Sequence, residues 1–362
     1  PLLVEFSIPA IIGMLVNAIY NIVDRMFIGN APELGAIGLA GISICYPVTL
    51  VLMAISLMIG MGGATRFSIA LGQGKKEEAG KYMGNGLTLT IILGLVFMIL
   101  GNVFLAPMLR LLGASKTVLP YAENYLSIIL YGAVFQCIAM AGNNFSRAQG
   151  NPKNAMISQL IGAGFNILFD YILICIFHMG MQGAAFATII SQAMALVWQL
   201  KLFSNPNELL HLKRGIYRLK SDLVKNIIGI GISPFLMNAC ACIIVIFMNN
   251  QFVRYGGDMA VGAYGIANSI GVVFIMFVMG INQGMQPIAG YNYGAMQLDR
   301  VMRVLELSII AATVIMTVGW AIAMFIPYYC VRLFTNDPTL IAMSIKGTRI
   351  DLLMFPVVGA QM

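Results

Sequence analysis

Long apolar runs, separated by short charged or glycine-rich turns, follow one another along the whole chain. A run of roughly 20 apolar residues, at a helical rise of about 1.5 Å each, crosses the about 30 Å of hydrocarbon in a bilayer. We count ten such runs, which cover residues 6–29, 38–71, 84–108, 121–146, 154–177, 183–203, 223–253, 261–290, 305–330 and 339–362. The pattern therefore predicts an all-α integral membrane protein.

The two halves of the chain carry similar landmarks in the same order, beginning with Ile8-Pro9 and Ser233-Pro234. The longest polar stretch predicts a first lobe at residues 1–203, a cytoplasmic linker at 204–221 and a second lobe at 222–362. Because each half holds an even number of segments, the repeats enter the membrane from the same side. The repeat predicts two pseudo-symmetric six-helix lobes, so we expect twelve helices, of which about ten are present and the last two are missing.

The composition agrees with a membrane protein and explains the basic charge. Hydrophobic residues make up 59% of the chain and charged residues 10%, against about 25% charged in soluble domains. If the first segment starts inside, most Lys and Arg lie on the inner side, and the outer loops hold only Arg110, Lys116, Arg254 and Arg332. The positive-inside rule then predicts a cytoplasmic N-terminus in the cell (inner) membrane, and the net charge of +7 needs no nucleic-acid partner.

Few charged residues lie within the predicted spans, where a charge costs about 2.5 to 3.5 kcal/mol on insertion scales, and two carboxylates of the first half are among them. Asp24 lies near the outer end of the first segment, and Asn166 and Asp170 share one face of the fifth. Thr188 in the sixth segment reaches a similar depth, and Tyr20 lies one turn below Asp24. These oxygens predict a site for a proton or a hard cation, with Na⁺ as the candidate metal ion at Asp24, Asn166, Asp170 and Thr188.

Some of these residues also have a purely structural interpretation. Asp24 could pair with the adjacent Arg25 at the interface, and Asn166 could bridge two helices. The two acids together are more informative, because neighbouring carboxylates in a low dielectric disfavour both being ionised. Such a pair can exchange a proton or a sodium ion for a cationic solute.

The second half carries no equivalent acid at the matching position. When the halves are matched on their opening prolines, Asn249 takes the place of Asp24, which predicts ion coupling in the first half. Asp351 is the most buried-looking acid of the second half. Because Arg349 lies nearby, we interpret Asp351 as a paired structural charge and leave open whether it contacts substrate.

Several short motifs, in this order and spacing, resemble the multidrug and toxic compound extrusion (MATE) transporters of bacteria over nearly the whole chain. The motifs are Ser7-Ile-Pro9 with Tyr20-Asn-Ile-Val-Asp24, Gly60-Met-Gly-Gly with Ala70-Leu-Gly-Gln-Gly74, Arg147-Ala-Gln-Gly150-Asn-Pro152, Asn166-Ile-Leu-Phe-Asp170, Gly183-Ala-Ala-Phe-Ala-Thr188 and Gly290-Tyr-Asn-Tyr-Gly294. The resemblance implies two six-helix lobes around a central cleft. It also implies a monomeric exporter of small lipophilic, usually cationic compounds in contact with membrane lipid.

The resemblance further implies roles for individual residues. The first-lobe cation site falls on the four residues already named, with Tyr20 beside it. Asn143 matches a further polar position of the first-lobe cavity, and Pro9 is the expected bending point of the first helix. The implied coupling ion is Na⁺ or H⁺, and no other cofactor is expected.

Other functional classes lack their signatures. An intramembrane aspartyl protease needs Gly-x-Gly-Asp at one acid, and neither Asp24 nor Asp170 has it. An ATP-driven pump needs a Gly-x-x-x-x-Gly-Lys-Ser/Thr loop, which the sequence lacks. We therefore expect a transporter and no enzyme. The alternative is a lipid-linked precursor flippase or another exporter of related two-lobe fold, for which a strongly basic cleft would be expected.

Overall fold

The structure, a computed structural model, describes residues 2–30, 35–204, 217–332 and 338–361. Every regular element in these ranges is helical, which confirms the all-α prediction. The helices are α1 (Leu2–Asn30), α2 (Gly35–Gly72), α3 (Lys76–Val103), α4 (Leu105–Leu111), α5 (Leu119–Tyr131), α6 (Ala133–Ala148), α7 (Pro152–Asp170), a π-helical segment (Tyr171–Ile176), α8 (Gly180–Phe203), α9 (Ser221–Gly294), α10 (Leu298–Phe325), α11 (Pro327–Arg332), α12 (Pro338–Asp351) and α13 (Phe355–Gln361).

The described residues contain eight helical stretches long and apolar enough to span a membrane, or nine if one bent pair counts as a single span. The bent pair is α5 and α6, which meet at 52° around Gly132. A side chain at this position would overlap Ile189 of α8, so a glycine is needed where the chain turns. The predicted fourth segment is therefore broken. The predicted tenth segment is also broken, into α12 and α13.

Turns were predicted well where glycine ends a helix and poorly where a helix continues through a glycine pair. Gly74 and Gly150 have positive φ angles of 76° and 90° and end the turns after α2 and α6. By contrast, helical backbone continues through the predicted separator at residues 256–258. Two candidate spans, Ser221–Ile244 and Ala263–Gly294, lie at the two ends of α9.

The chain forms two compact units. The larger unit comprises Val16–Ala239 and Gly290–Gln297, and the smaller comprises Pro1–Leu15, Cys240–Ala289 and Leu298–Met362. The lobe boundaries at residues 203 and 222 stay a prediction, and so does the cytoplasmic position of the N-terminus.

Two apolar clusters form the interior of the larger unit. One is built around Ile28, Tyr125 and Leu126, and it joins α1, α2, α5 and α8. The other is built around Phe67 and Phe145, whose rings meet edge to face with centroids 5.8 Å apart. The first cluster holds the C-terminal end of α1 in place, and this is the part of the chain that carries Asp24.

Backbones approach closely where α2 packs against the first turns of α9, within the larger unit. A side chain on Gly62 would overlap the carbonyl oxygen of Ile227, and one on Gly231 would overlap that of Met58. Gly229, on the same helix, has open space within 4 Å of the place that a β-carbon would take. Only the two glycines in the contact are therefore required by packing.

Candidate cation site

Asp24 of α1 and Asp170 of α7 form the centre of the site. Their side chains are 8% and 0% exposed, and their carboxyl groups lie against each other. Asp170 is the last residue of α7, and Asp24 lies in the penultimate turn of α1. Packing of the C-terminal ends of these two helices thus brings together two acids that are 146 positions apart in the sequence.

Asn166 and Thr188 extend this pair along the contact between α7 and α8. Asn166 is 1% exposed, lies one turn before Asp170, and donates from Nδ2 to Thr188 Oγ1 at 3.5 Å. Thr188 Oγ1 in turn donates to the carbonyl oxygen of Ala184 at 3.0 Å. The structure therefore brings together the four residues that the sequence singled out, while their role in binding a cation stays a prediction.

Buried oxygen atoms without hydrogen-bond donors distinguish this cluster from ordinary helix packing. Asp24 Oδ1, Asn166 Oδ1 and both carboxylate oxygens of Asp170 are buried, and no donor from the described residues reaches them. Ionised carboxylates only accept hydrogen bonds, so two of them in contact repel unless a proton or a cation lies between them. The donor set is made only of oxygen, which suits a proton or a hard monovalent cation.

The alternative ion pair between Asp24 and Arg25 is not formed. Arg25 is exposed, and its guanidinium lies over the ring of Tyr46, 5.8 Å from the centroid. No ion pair between Asp24 and a basic residue occurs among the described residues. Arg25 acts on Asp24 only as a nearby positive charge.

Two tyrosines border the acids. Tyr20 lies one turn before Asp24 on α1, as predicted, and interacts electrostatically with both acids. Tyr125 of α5 is 7% exposed and interacts with the same two acids and with Tyr20. Tyr125 was not among the candidate site residues predicted from the sequence. The available signal was a phenol in the middle of an apolar segment, where its hydroxyl requires a polar neighbour.

A change of helical geometry begins directly after Asp170. Residues Tyr171–Ile176 form a π-helical segment, and the amide of Phe177 donates to the carbonyl oxygen of Ile172 at 3.0 Å. Such segments are rare and occur often at functional sites. Here the segment ends the α-helix at the acid itself, and so sets the direction in which the chain leaves the site.

Asn143 and Pro9 lie apart from the acids. Asn143 of α6 accepts a hydrogen bond from Gln199 of α8 at 2.8 Å and has no bond to any of the four residues above. Pro9 lies inside α1, 15 residues before Asp24, or about 22 Å along the helix. Their predicted roles in the cavity and in bending remain untested by this geometry.

In the second half, the predicted pairing of Asp351 is wrong. Arg349 donates to the carbonyl oxygen of Met324 at 3.2 Å, and no ion pair joins it to Asp351 in the described part of the chain. Asp351 is exposed and interacts with Tyr264. The side chain of Asn249, which matches Asp24 by sequence, lies outside the described residues.

Comparison with known proteins identifies relatives over nearly the full chain. The chain is 29% identical over 355 residues to the multidrug export protein MepA of Staphylococcus haemolyticus (strain JCSC1435), covering 97% of this chain and 78% of the relative. It is also 29% identical to MepA of Staphylococcus aureus (strain NCTC 8325 / PS 47), with the same coverage. These relatives are named as exporters, in agreement with the expectation of a transporter.

Solved structures of similar fold agree with this relationship. The MATE multidrug transporter DinF-BH, solved in complex with a bound compound, superposes with a TM-score of 0.91 at 36% identity, covering 99% of this chain and 80% of that one. A multidrug resistance MATE family transporter of the MOP superfamily, in an outward-facing conformation, superposes with a TM-score of 0.92 at 24% identity. It covers 99% of this chain and 79% of that one, and supports the fold alone.

A model of one protein family, MatE, matches both halves of the chain separately. The matched residues are 9–172 and 230–362, which include Asp24, Asn166 and Asp170. The repeat inferred from the two opening prolines agrees with this division into two matched stretches. The chain belongs to the MatE family of membrane transporters.

Proposed function

We propose that this protein exports small lipophilic cations across the cell membrane in exchange for Na⁺ or H⁺. The proposal is supported by the relatives named as multidrug exporters and by the similar multidrug transporter solved with a bound compound. The observation that carries it is the pair of buried carboxyl groups, Asp24 and Asp170, in contact with each other and without another donor among the described residues.

The pair suits an exchange of cations because its charge state and its occupancy are linked. With both acids ionised, the site carries two adjacent negative charges in a poorly solvated place and attracts a cation strongly. A proton or Na⁺ held by Asp24, Asp170, Asn166 Oδ1 and Thr188 Oγ1 halves that charge, from two negative charges to one. A cationic solute then loses part of its attraction to the neighbourhood, which favours its release.

Alternating access would couple this exchange to transport. In our proposal, a lipophilic cation enters from the cytoplasm or the inner leaflet, and the coupling ion enters from the outer side and displaces it. Pro9 has no amide hydrogen, so the carbonyl group of Glu5 lacks its usual helical partner, and bending of α1 there breaks no hydrogen bond. A one-for-one exchange of monovalent cations moves no net charge, so the concentration gradient of the coupling ion drives it. Each additional unit charge that enters across 100 mV adds about 2.3 kcal/mol.

The orientation that goes with this mechanism is the one expected from the basic residues. The N-terminus would be cytoplasmic, in the inner membrane, and Asp24 and Asp170 would lie in the outer half of the bilayer. An acid pair at that depth is near the side from which Na⁺ or H⁺ flows down its gradient. We propose a monomeric transporter, since one chain supplies all the residues of the site.

The test is dye efflux from proteoliposomes in which one gradient is imposed at a time. Wild-type protein should export an ethidium-like dye when the gradient of its coupling ion is imposed. Efflux that occurs under only one of the two gradients identifies that ion as Na⁺ or H⁺. Asp24→Asn and Asp170→Asn should reduce gradient-driven efflux by at least about tenfold.

Asp299→Asn is a suitable control, since that acid is exposed in the first turn of α10. It should keep wild-type efflux. Undiminished efflux in both Asp24→Asn and Asp170→Asn would show that the acid pair does not couple transport.

A further inference from the structure

A second buried polar cluster lies in the larger unit, at a different level from the acids. Gln199 of α8 is 1% exposed, and its side-chain nitrogen Nε2 lies near three oxygen atoms. The distances are 2.9 Å to the carbonyl oxygen of Ala139, 2.8 Å to Asn143 Oδ1 and 3.0 Å to Ser158 Oγ. The cluster thus joins α6, α7 and α8 through one amide group.

The hydrogen-bond chemistry fixes which way each amide points. The backbone carbonyl of Ala139 can only accept, so the group of Gln199 that faces it must be the NH₂. The atom of Asn143 that lies 2.8 Å from this NH₂ must then be its oxygen. A flipped Asn143 would place two donors against each other, and a flipped Gln199 would place its oxygen against that of Ala139.

The group of Asn143 that faces away from Gln199 is consequently its NH₂, a hydrogen-bond donor. Asn143 is half-buried, and none of the described residues accepts a hydrogen bond from its Nδ2. Its oxygen is occupied by Gln199. Whatever approaches the open side of Asn143 therefore meets two N–H donors and no acceptor.

Gly142 allows this arrangement. A side chain at this position would overlap Gln199 Oε1, so the absence of a Cβ leaves the room in which the amide of Gln199 lies. Gln199 Oε1 itself is buried, and no described residue donates to it. The amide is therefore held in its orientation by the NH₂ alone, although burying an unpaired carbonyl oxygen is unfavourable.

We propose that Gln199 is a positioning residue that turns the Asn143 amide so that its donors recognise a hydrogen-bond acceptor on the transported compound. The ligand class is lipophilic cations that also carry an ester, ether or carbonyl oxygen. Ser158, which bonds Gln199, precedes Asn166 by eight residues, so this donor lies about 12 Å along the helix from the level of the cation site. The inference rests on the proposed function, because it assigns part of a solute's recognition to this chain.

The experiment compares the equilibrium binding of two lipophilic cations to the purified protein in detergent. An ester-bearing rhodamine cation has acceptor oxygens, and tetraphenylphosphonium has none. Gln199→Met removes the donor that holds Asn143 and should raise the Kd of the rhodamine by about three- to tenfold, with the Kd of tetraphenylphosphonium unchanged. Gly142→Ala should reproduce this selective loss by displacing Gln199, and Asn143→Leu should give the largest loss.

Gln199→Glu provides a sharper variant when binding is measured at alkaline pH, where the ionised carboxylate can only accept. Asn143 would then turn its NH₂ towards Glu and its oxygen outwards, so rhodamine binding should fall as in Gln199→Met although a hydrogen bond to Asn143 is kept. Gly164→Ala is the matched control, since no atom lies within 4 Å of a side chain built there. It should leave both Kd values unchanged.

The outcomes distinguish positioning from a merely structural role. If the two Kd values rise together in Gln199→Met, in step with a lower midpoint of thermal unfolding, the residue only supports the fold and the proposal is wrong. The proposal is equally overturned if wild-type protein binds neither cation, or if Asn143→Leu leaves rhodamine binding unchanged. Because binding is measured without any gradient, loss of ion coupling alone would contradict the proposed antiport and leave this inference standing.

Discussion

The buried acids of the first half and the exposed acid of the second half have opposite surroundings. Asp24 and Asp170 come from two helices, are almost fully buried and contact each other. Asp351 lies at the end of α12 with an exposed side chain near Tyr264, and the neighbouring Arg349 bonds a backbone carbonyl instead. An isolated exposed acid needs no partner, whereas two buried acids in contact require a proton or a cation.

The comparison shows that a carboxylate in a membrane segment does not by itself indicate an ion site. Asp351 lies near Tyr264 and Gly271 of α9, and its side chain is exposed. Around Asp170, by contrast, neither carboxylate oxygen has a protein donor within the described ranges. The unsatisfied pair, and not the charge alone, is the informative feature.

The largest expected effect concerns stabilisation by the coupling ion. A ligand that binds only the folded state raises the free energy of unfolding by about 2.7 kcal/mol when its concentration is 100 times its Kd. Thermal unfolding in detergent, measured with and without Na⁺ and at neutral and acidic pH, should show such a gain for the wild type. The gain should vanish in Asp24→Asn and Asp170→Asn and persist in Asp351→Asn. An equal loss in all three variants would remove the distinction between the two halves.

A smaller effect is expected from the neutral oxygen of the site. Thr188→Ala removes one oxygen from the set and the bond from Asn166, which should raise the half-saturating ion concentration by about two- to tenfold. Titration of the thermal shift against ion concentration measures this. Thr188→Ser keeps the hydroxyl and should restore most of the affinity; if it behaves like Thr188→Ala, the hydroxyl is not a ligand.

The smallest effect is expected from the bordering phenols. Tyr125→Phe removes a hydroxyl that interacts electrostatically with both acids and should change the half-saturating ion concentration by about two- to threefold. Tyr264→Phe makes the same change beside Asp351 and should leave ion binding unaltered. The same ion titration checks both variants. A larger effect from Tyr264→Phe would indicate that the second half also takes part in ion binding.

Much of the candidate site could be predicted from the sequence because it depends on local geometry. Span length and helical rise predicted a similar depth for Asp24 and Asp170, and a spacing of four residues placed Asn166 and Asp170 on one helix face. The depth of Thr188 was predicted from its distance to the start of its own segment. Helical periodicity is a short-range property, so these relationships needed no knowledge of how the helices pack.

Some boundaries could not be predicted because they depend on neighbouring helices. The bend at Gly132 occurs where Ile189 occupies the space of a side chain, and nothing in residues 121–146 alone indicates that neighbour. The helix through residues 256–258 continued although glycines usually favour a break. In the second half, Arg349 was close to Asp351 in sequence, yet helix packing directed it to Met324.

The sequence by itself determined that this protein is a multi-span helical membrane protein with two acids at a similar depth in its first half. Hydrophobic length and periodicity suffice for that, since the bilayer acts on each segment separately. Only the tertiary structure decided that Asp24 meets Asp170 and not Arg25, that Tyr125 borders them, and that Gln199 turns Asn143. These contacts join residues from different helices, and their distances depend on how the side chains of those helices pack.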